Sequence, residues 1–436
     1  MLSEAWSDDL SNLSAAIIHK SRQSAAEVWK LYLAALVAFR EMPSNPKRNE
    51  TFGPGALLAL VRSGTAVTRS DLARVSGLAR STIAQRVDAL LASGLLYEAG
   101  DAASTGGRPP MALAFNRSHG VVLAADLGAT HARVAITDLI GTPLAERAGD
   151  LDIGLGPEAV LGWVSDQFAQ LLAAVGSTPA DVRGIGIGIP GPVEFETGRP
   201  VSPPIMPGWD GFDIPQFFAD LYAAPVLVDN DVNIMARGEH ALRWPETKDF
   251  MLIKVGTGIG CGVIAGGHIH RGADGAAGDI GHIRATGRDD VICRCGNVGC
   301  LEAIAGGRSL ARQLAEAGET ATRSRDVVAL VLAGDPLAVR LVRDAGRVLG
   351  EVLAGIVNFF NPAVIVIGGD IADAREHLLA GVREGIFRRS LPLATRNLRI
   401  VGCELGDRAG VIGAAMMVID RVLAPETIDR TLQVAA

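Results

Sequence analysis

Long apolar runs, aromatic residues, cysteines and positive net charge are all scarce in this chain, and each scarcity excludes a class of protein. No stretch reaches the roughly 18 to 20 apolar residues of a membrane span, and the start lacks a signal-peptide pattern with a cleavage site, so a cytoplasmic protein without a membrane partner is expected. The net charge of -7 over 436 residues argues against a chain that coats nucleic acid along its whole surface. Any such contact has to come from a local basic patch. Aromatics make up 5% of the chain, whereas apolar residues reach 48% and glycines number 52. That is the profile of an Ala/Val/Gly-rich α/β protein with tight strand-to-helix turns and enough apolar mass for two or three cores. Of five cysteines, Cys293, Cys295 and Cys300 cluster while Cys261 and Cys403 stand alone, and an intracellular cluster suggests metal.

Along the chain, Ser24 to Arg40 reads as a helix that breaks at Met42-Pro43-Ser44-Asn45-Pro46. The sequence after Met42 looks like a normal protein start. Residues 1–48 are therefore expected to be an N-terminal extension, either an over-extended translation start or a poorly packed appendage, and no function is assigned to them. Residues 49–118 alternate short helical patterns with turn signals. Beyond them, apolar strands separated by helical stretches give the alternation of α/β architecture. A first α/β lobe is expected over 119–228 and a second over 229–422, the latter with the cysteine loop and a C-terminal helix. The strand-turn-strand designs VVLAADLGATHARVAITD and FMLIKVGTGIGCGVIAGG resemble each other and hint at a duplication.

In the N-terminal module Ser70 is read as the cap of a helix DLARV, Ser76-Gly77-Leu78 as a tight turn, and RSTIAQRVDALLASG as a second helix, which is helix-turn-helix spacing. Leu72, Ala73, Ile83, Val87 and Leu90 face inward. Arg80, Ser81, Thr82, Gln85 and Arg86 face outward and are side-chain types that reach base edges and phosphates in a major groove. The following ribbon is read as a wing whose Gly-Arg-Pro tip carries Arg108 toward a minor groove. Between Lys47 and Pro110 eight basic residues stand against five acidic ones, so the module is locally positive.

Three glycine turns follow apolar strands in order: Gly128 with Thr130, then Gly256, Thr257 and Gly258, then Gly368 and Gly369. Backbone N–H groups in such turns can cradle phosphates. Asn230 and Asp231 sit at the end of a strand, where amide and carboxylate can bond vicinal sugar hydroxyls and a carboxylate can take a hydroxyl proton. His282 with Cys293, Cys295 and Cys300 fills a tetrahedral zinc shell without an open position, which makes a structural metal that pins a loop.

The motifs GIPGPV, NDVN, GTGIG, GDIGH and CRCGNVGCLE, between Gly188 and Glu302, resemble the ROK family of repressors, open reading frames and sugar kinases, a resemblance that covers roughly residues 50 to 420. The resemblance implies a two-lobed actin/hexokinase-like fold behind a winged helix-turn-helix, with sugar and ATP in the cleft between lobes. It implies that Asp231 matches a catalytic base, that Asn230, Asp279 and Glu302 contact sugar, and that His282 serves both zinc and sugar. Three departures weigh against kinase activity: Asp279 where kinases carry Glu, Ile205 where they carry Asn, and Ala129 in place of a second glycine. The expected function is a sugar-responsive, DNA-binding regulator, a repressor, acting as a homodimer or homotetramer on operator DNA. An ATP- and Mg-dependent hexose kinase is the alternative.

Overall fold

The computed structural model describes residues 52–101, 111–287 and 290–434. The expected helix at Ser24 to Arg40 and the wing tip with Arg108 lie outside the described residues.

Helices α1 (Pro54–Arg62), α2 (Arg69–Ser76) and α3 (Arg80–Ala92) precede an antiparallel ribbon of β1 (Leu96–Asp101) and β2 (Met111–Phe115). Leu57, Leu58, Leu72, Ile83, Val87 and Leu90 are buried among them, and the last four belong to the inward set that helical spacing predicts. Ala73, expected with them, is only half-buried. Thr68, not Ser70, caps α2: its backbone is extended and its Oγ1 accepts a hydrogen bond from the Asp71 N–H at 3.1 Å. Both residues carry a hydroxyl, and the one with non-helical backbone wins the role. Gly77 ends α2 at φ 72°, in the left-handed conformation that lets the chain turn toward α3.

Two five-stranded mixed sheets follow. The first contains β3 (Val121–Leu127), β4 (His131–Thr137), β5 (Pro143–Asp150), β6 (Val182–Ile189) and β9 (Val226–Asn230), in the order β5-β4-β3-β6-β9. Between β6 and β9 lies a small pair, β7 (Val193–Glu194) and β8 (Arg199–Pro200). The second sheet contains β10 (Phe250–Val255), β11 (Ile259–Ala265), β12 (His268–Ile269), β13 (Val364–Gly368) and β14 (Arg399–Gly402), in the order β12-β11-β10-β13-β14. All seven residues of β3 are buried, which explains why VVLAADL reads as an apolar run broken only by Asp126 rather than as an alternation.

The helices of this region are α4 (Pro157–Ala174), α5 (Ile214–Ala219), α6 (Asp231–Arg243), α7 (Leu301–Ala305), α8 (Gly307–Glu316), α9 (Ser324–Leu332), α10 (Pro336–Phe360), α11 (Glu376–Arg389), α12 (Pro392–Thr395), α13 (Ala409–Val422) and α14 (Pro425–Val434). Sequence ranges place α13 with the second lobe, but it packs on β3 and β6 of the first sheet as well as on α6. Its near-continuous apolar face suits a sheet surface. The last helix, α14, packs on α1, where Asp429 Oδ1 accepts the Gly55 N–H at 2.7 Å. Among the described residues no helix is long and apolar enough to cross a membrane.

Candidate functional site

A cleft of about 1200 Å³ opens where residues at the ends of β3, β9, β10 and β13 come together. Its wall contains Asn230, Asp231, Asp279, His282 and Glu302, so the five residues expected to contact sugar share one cavity.

The strand end that presents Asp231 is locked from behind. Asp229 is buried; its Oδ1 accepts from the Asn230 N–H and from Asn233 Nδ2, each at 2.8 Å, and its Oδ2 accepts from Arg271 Nε and Nη2 at 2.9 and 2.7 Å. The Arg271 guanidinium in turn lies 3.6 Å from the centre of the Phe195 ring. Asn230 caps α6: its Oδ1 accepts the Val232 N–H and its Nδ2 donates to the Gly191 carbonyl, both at 3.0 Å. Both ends of that amide are thus engaged by backbone. Asp231 then opens α6 with its side chain 11% exposed, and its Oδ2 accepts from Lys254 Nζ at 2.6 Å.

Around this corner Gly256, Thr257, Gly258, Gly368 and Gly369 all line the cleft. At Gly258 a side chain would run into the Glu302 carboxylate, whose Oε2 accepts the Ile259 N–H at 3.1 Å. The glycine therefore lets Glu302 brace the turn. Thr130 lines a small adjoining pocket with Arg308, Arg323 and Arg325 instead of the main cleft. Gly128, expected as a phosphate-cradling residue, is in neither wall; the His131 ring packs where its side chain would be.

Sequence reasoning missed several lining residues: Lys254, and the arginines Arg308, Arg312, Arg325 and Arg375. The lone lysine inside FMLIKV was the available signal, because a charge on an otherwise buried strand demands a partner. Asp126, at the end of β3, is 6% exposed. Burial, countered in part by Lys254, raises its carboxyl to about 7.

His282, Cys293, Cys295 and Cys300 converge, with their ligand atoms within 4.8 Å of one another. Cys295 and Cys300 Sγ are 3.7 Å apart, as are Cys293 Sγ and His282 Nδ1. Sulfurs bound at about 2.3 Å in a tetrahedron lie roughly 3.8 Å apart, so the four residues fit a zinc ion. Burial pushes the Cys300 thiol up to about 12, whereas a backbone hydrogen bond from Asn297 draws the exposed Cys295 down to about 7. With Nδ1 directed at Cys293, His282 also lines the cleft.

On α3, Arg80, Ser81 and Gln85 are exposed and Thr82 and Arg86 half-buried. Arg69 on α2 is tied to Asp88 at 2.7 Å, so it braces the two helices.

The ROK family pattern matches residues 122–421. A xylose repressor of Caldicellulosiruptor bescii is 30% identical over 383 residues, covering 84% of this chain and 95% of its own. A crystal structure of a ROK family transcriptional regulator, a homologue of the Escherichia coli MLC protein, superposes with a TM-score of 0.73 at 28% identity over 87% of this chain and 98% of that one. A ROK family glucokinase from Streptomyces griseus, solved with glucose and AMPPNP, gives 0.59 at 28% identity, covering 68% of this chain and 99% of its own. The motifs, the paired sheets and a match across 122–421 place the chain in the ROK family.

Proposed function

We propose that this chain is a sugar-responsive transcriptional repressor: residues 49–118 are a winged helix-turn-helix head that binds operator DNA, and the cleft binds the sugar that releases it. The observation that carries this reading is the extent of the likeness. The xylose repressor aligns over 84% of the chain, whereas the whole glucokinase is accommodated by 68%, leaving the head to the regulators.

In this reading α3 enters the major groove with Arg80, Ser81, Thr82, Gln85 and Arg86, and Arg108, between β1 and β2 in the sequence, reaches the minor groove. One such head buries too little surface to select a site, so a dimer or dimer of dimers supplies two half-sites. Asn230, Asp231, Asp279, His282 and Glu302 bind sugar hydroxyls, and zinc on His282, Cys293, Cys295 and Cys300 holds the loop that carries two of them. Closure around a sugar moves α6, which begins at Asp231. Its neighbour α13 is followed directly by α14, which touches α1 of the head. That run of packed helices is the route by which the cleft biases the spacing of the heads.

Operator titrations with and without D-xylose and D-glucose test the reading. Sugar is expected to change affinity by roughly 5- to 150-fold. Asp231→Asn should remove that response while sugar-free DNA binding persists, and Arg80→Ala should weaken DNA binding with or without sugar. The glycine turns and Asp231 also suit an ATP-dependent hexose kinase. Rapid ADP release on glucose with no sugar-dependent shift in DNA affinity would decide for that enzyme.

A further inference from the structure

The two sheets place one residue each at the same point. In the first, Asp126 pairs with Arg133 across the β3-β4 hairpin and with Gly188 on β6. In the second, Lys254 pairs with Gly260 across the β10-β11 hairpin and with Gly368 on β13. Each is the second-to-last residue of its central strand, and both line the cleft. A carboxylate on one sheet thus has an ammonium as its structural counterpart on the other.

We propose that Lys254 is a built-in cation at the strand ends of the cleft: its ammonium takes the electrostatic place that a divalent metal ion would take among Asp126, Asp231 and Asp370, so the cleft holds its ligand without metal. This rests on the regulator reading and gives that reading a chemical cause. The Lys254 side chain is 16% exposed and its Nζ is 2.6 Å from Asp231 Oδ2. Asp126 is nine-tenths buried, lines the same cavity, and its Oδ1 has no hydrogen-bond partner among the described residues. Asp370 follows the Gly368-Gly369 turn in the same wall, with Arg325 at 3.6 Å.

Asp231 and Asp370, joined by Asp126 as it ionises near pH 7, bring acidic oxygens to one cleft that needs positive charge, and oxygen-rich sites of this kind are where Mg²⁺ or Mn²⁺ binds. Here the chain supplies the charge itself. Burial opposes the charged form of Lys254, but Asp231, then Asp126 and Asp370, outweigh it and hold its pKa above the ordinary value. A divalent ion entering beside that ammonium meets like-charge repulsion at close range. Phosphoryl transfer depends on metal ions that neutralise the developing charge, so the same lysine keeps the cleft a receptor: Asp231 remains a hydroxyl acceptor with one oxygen committed to Lys254.

Binding of Mn²⁺ to the zinc-loaded full-length chain, followed by electron paramagnetic resonance of the free ion, tests this directly. Wild type should show no submillimolar site. Lys254→Met, close in shape and neutral, should acquire one at least ~100-fold tighter than any on wild type, the size expected when an adjacent like charge is removed. Adding Asp231→Asn to that variant should abolish the new site, and Lys254→Arg should behave as wild type. A submillimolar Mn²⁺ site on wild type that Asp231→Asn removes would overturn the proposal, and needs no lysine variant to fold. So would a folded Lys254→Met that gains no site. The titration uses neither sugar nor DNA, so a failure of operator binding leaves it standing, and its own failure leaves the operator reading intact.

Discussion

The two sheets share one plan and differ in what they do with it. Each runs from an edge strand through an antiparallel hairpin to a central strand and then to two parallel neighbours. In each the central hairpin turns through three residues, Gly128 to Thr130 in one and Gly256 to Gly258 in the other. The first turn is filled by the His131 ring, while the second is braced by Glu302 and opens on the cleft. The first sheet ends its central strand in an acid covered by α13, and the second ends its own in a base that reaches Asp231. A repeated backbone fixes where chemistry happens, and a few side chains at equivalent points decide which chemistry it is.

The largest expected effect attacks the cover on the first sheet. At Gly410, on α13, any side chain would overlap the Asp126 carboxylate, and neither a buried acid nor a packed helix can step aside cheaply. Gly410→Val should cost about 4 kcal/mol or more, read as loss of soluble protein or a large fall in denaturation midpoint. Gly402, on the second sheet's edge strand, has open space where its side chain would be. Gly402→Ala should stay within about 1 kcal/mol. Equal costs at the two positions would break the contrast drawn here.

The loop after β12 of the second sheet carries the His282, Cys293, Cys295 and Cys300 group, and removing a metal held there is the next largest expected effect. Purified protein is expected to hold about one zinc per chain. Cys300→Ser should release it and destabilise the chain by roughly 3 kcal/mol, with the loss concentrated around 283–301, where hydrogen exchange will locate it. Zinc content unchanged in Cys300→Ser would remove the metal from the account.

Local chemistry made much of this legible in the sequence. The three cysteines stand close to one another along the chain, the glycine turns are visible as local strand-to-strand signals, and the inward positions of α3 follow from helical period alone. Long-range partners could not be read that way. Asp229 meets Arg271 forty-two residues on, and the meeting makes Asp229 the post that aims its neighbours Asn230 and Asp231. Lys254 acquires its partner only when β10 is laid beside the start of α6. Ser70 and Thr68 offered equal hydroxyls, and backbone conformation chose between them. Sequence order carries no information about which sheet a terminal helix returns to, and α13 packs on β3 and β6 of the first sheet as well as on α6.

The smallest effect separates the acid from the base. Asp126 is faced by Lys254, Asp231, Arg133 and Asp407, and burial, the dominant influence, raises its pKa from 3.8 to about 7. The folded protein therefore keeps a proton there that the unfolded chain has already lost. The corresponding stability is fully present below the unfolded value, near pH 4, and is lost as pH rises through the folded value, near pH 7. Asp126→Asn should remove this dependence. The wild-type unfolding free energy, measured relative to that variant, should fall by about 2 kcal/mol between pH 5 and pH 7; taking the difference cancels groups common to both. Denaturant titrations at pH 5, 6, 7 and 8 check the slope. Lys254 is the nearest influence favouring the charged form, so Lys254→Met should move the window to higher pH. A difference that stays flat through the window would mean that Asp126 is ionised in the fold, paired with its counterpart on the other sheet rather than protonated beside it.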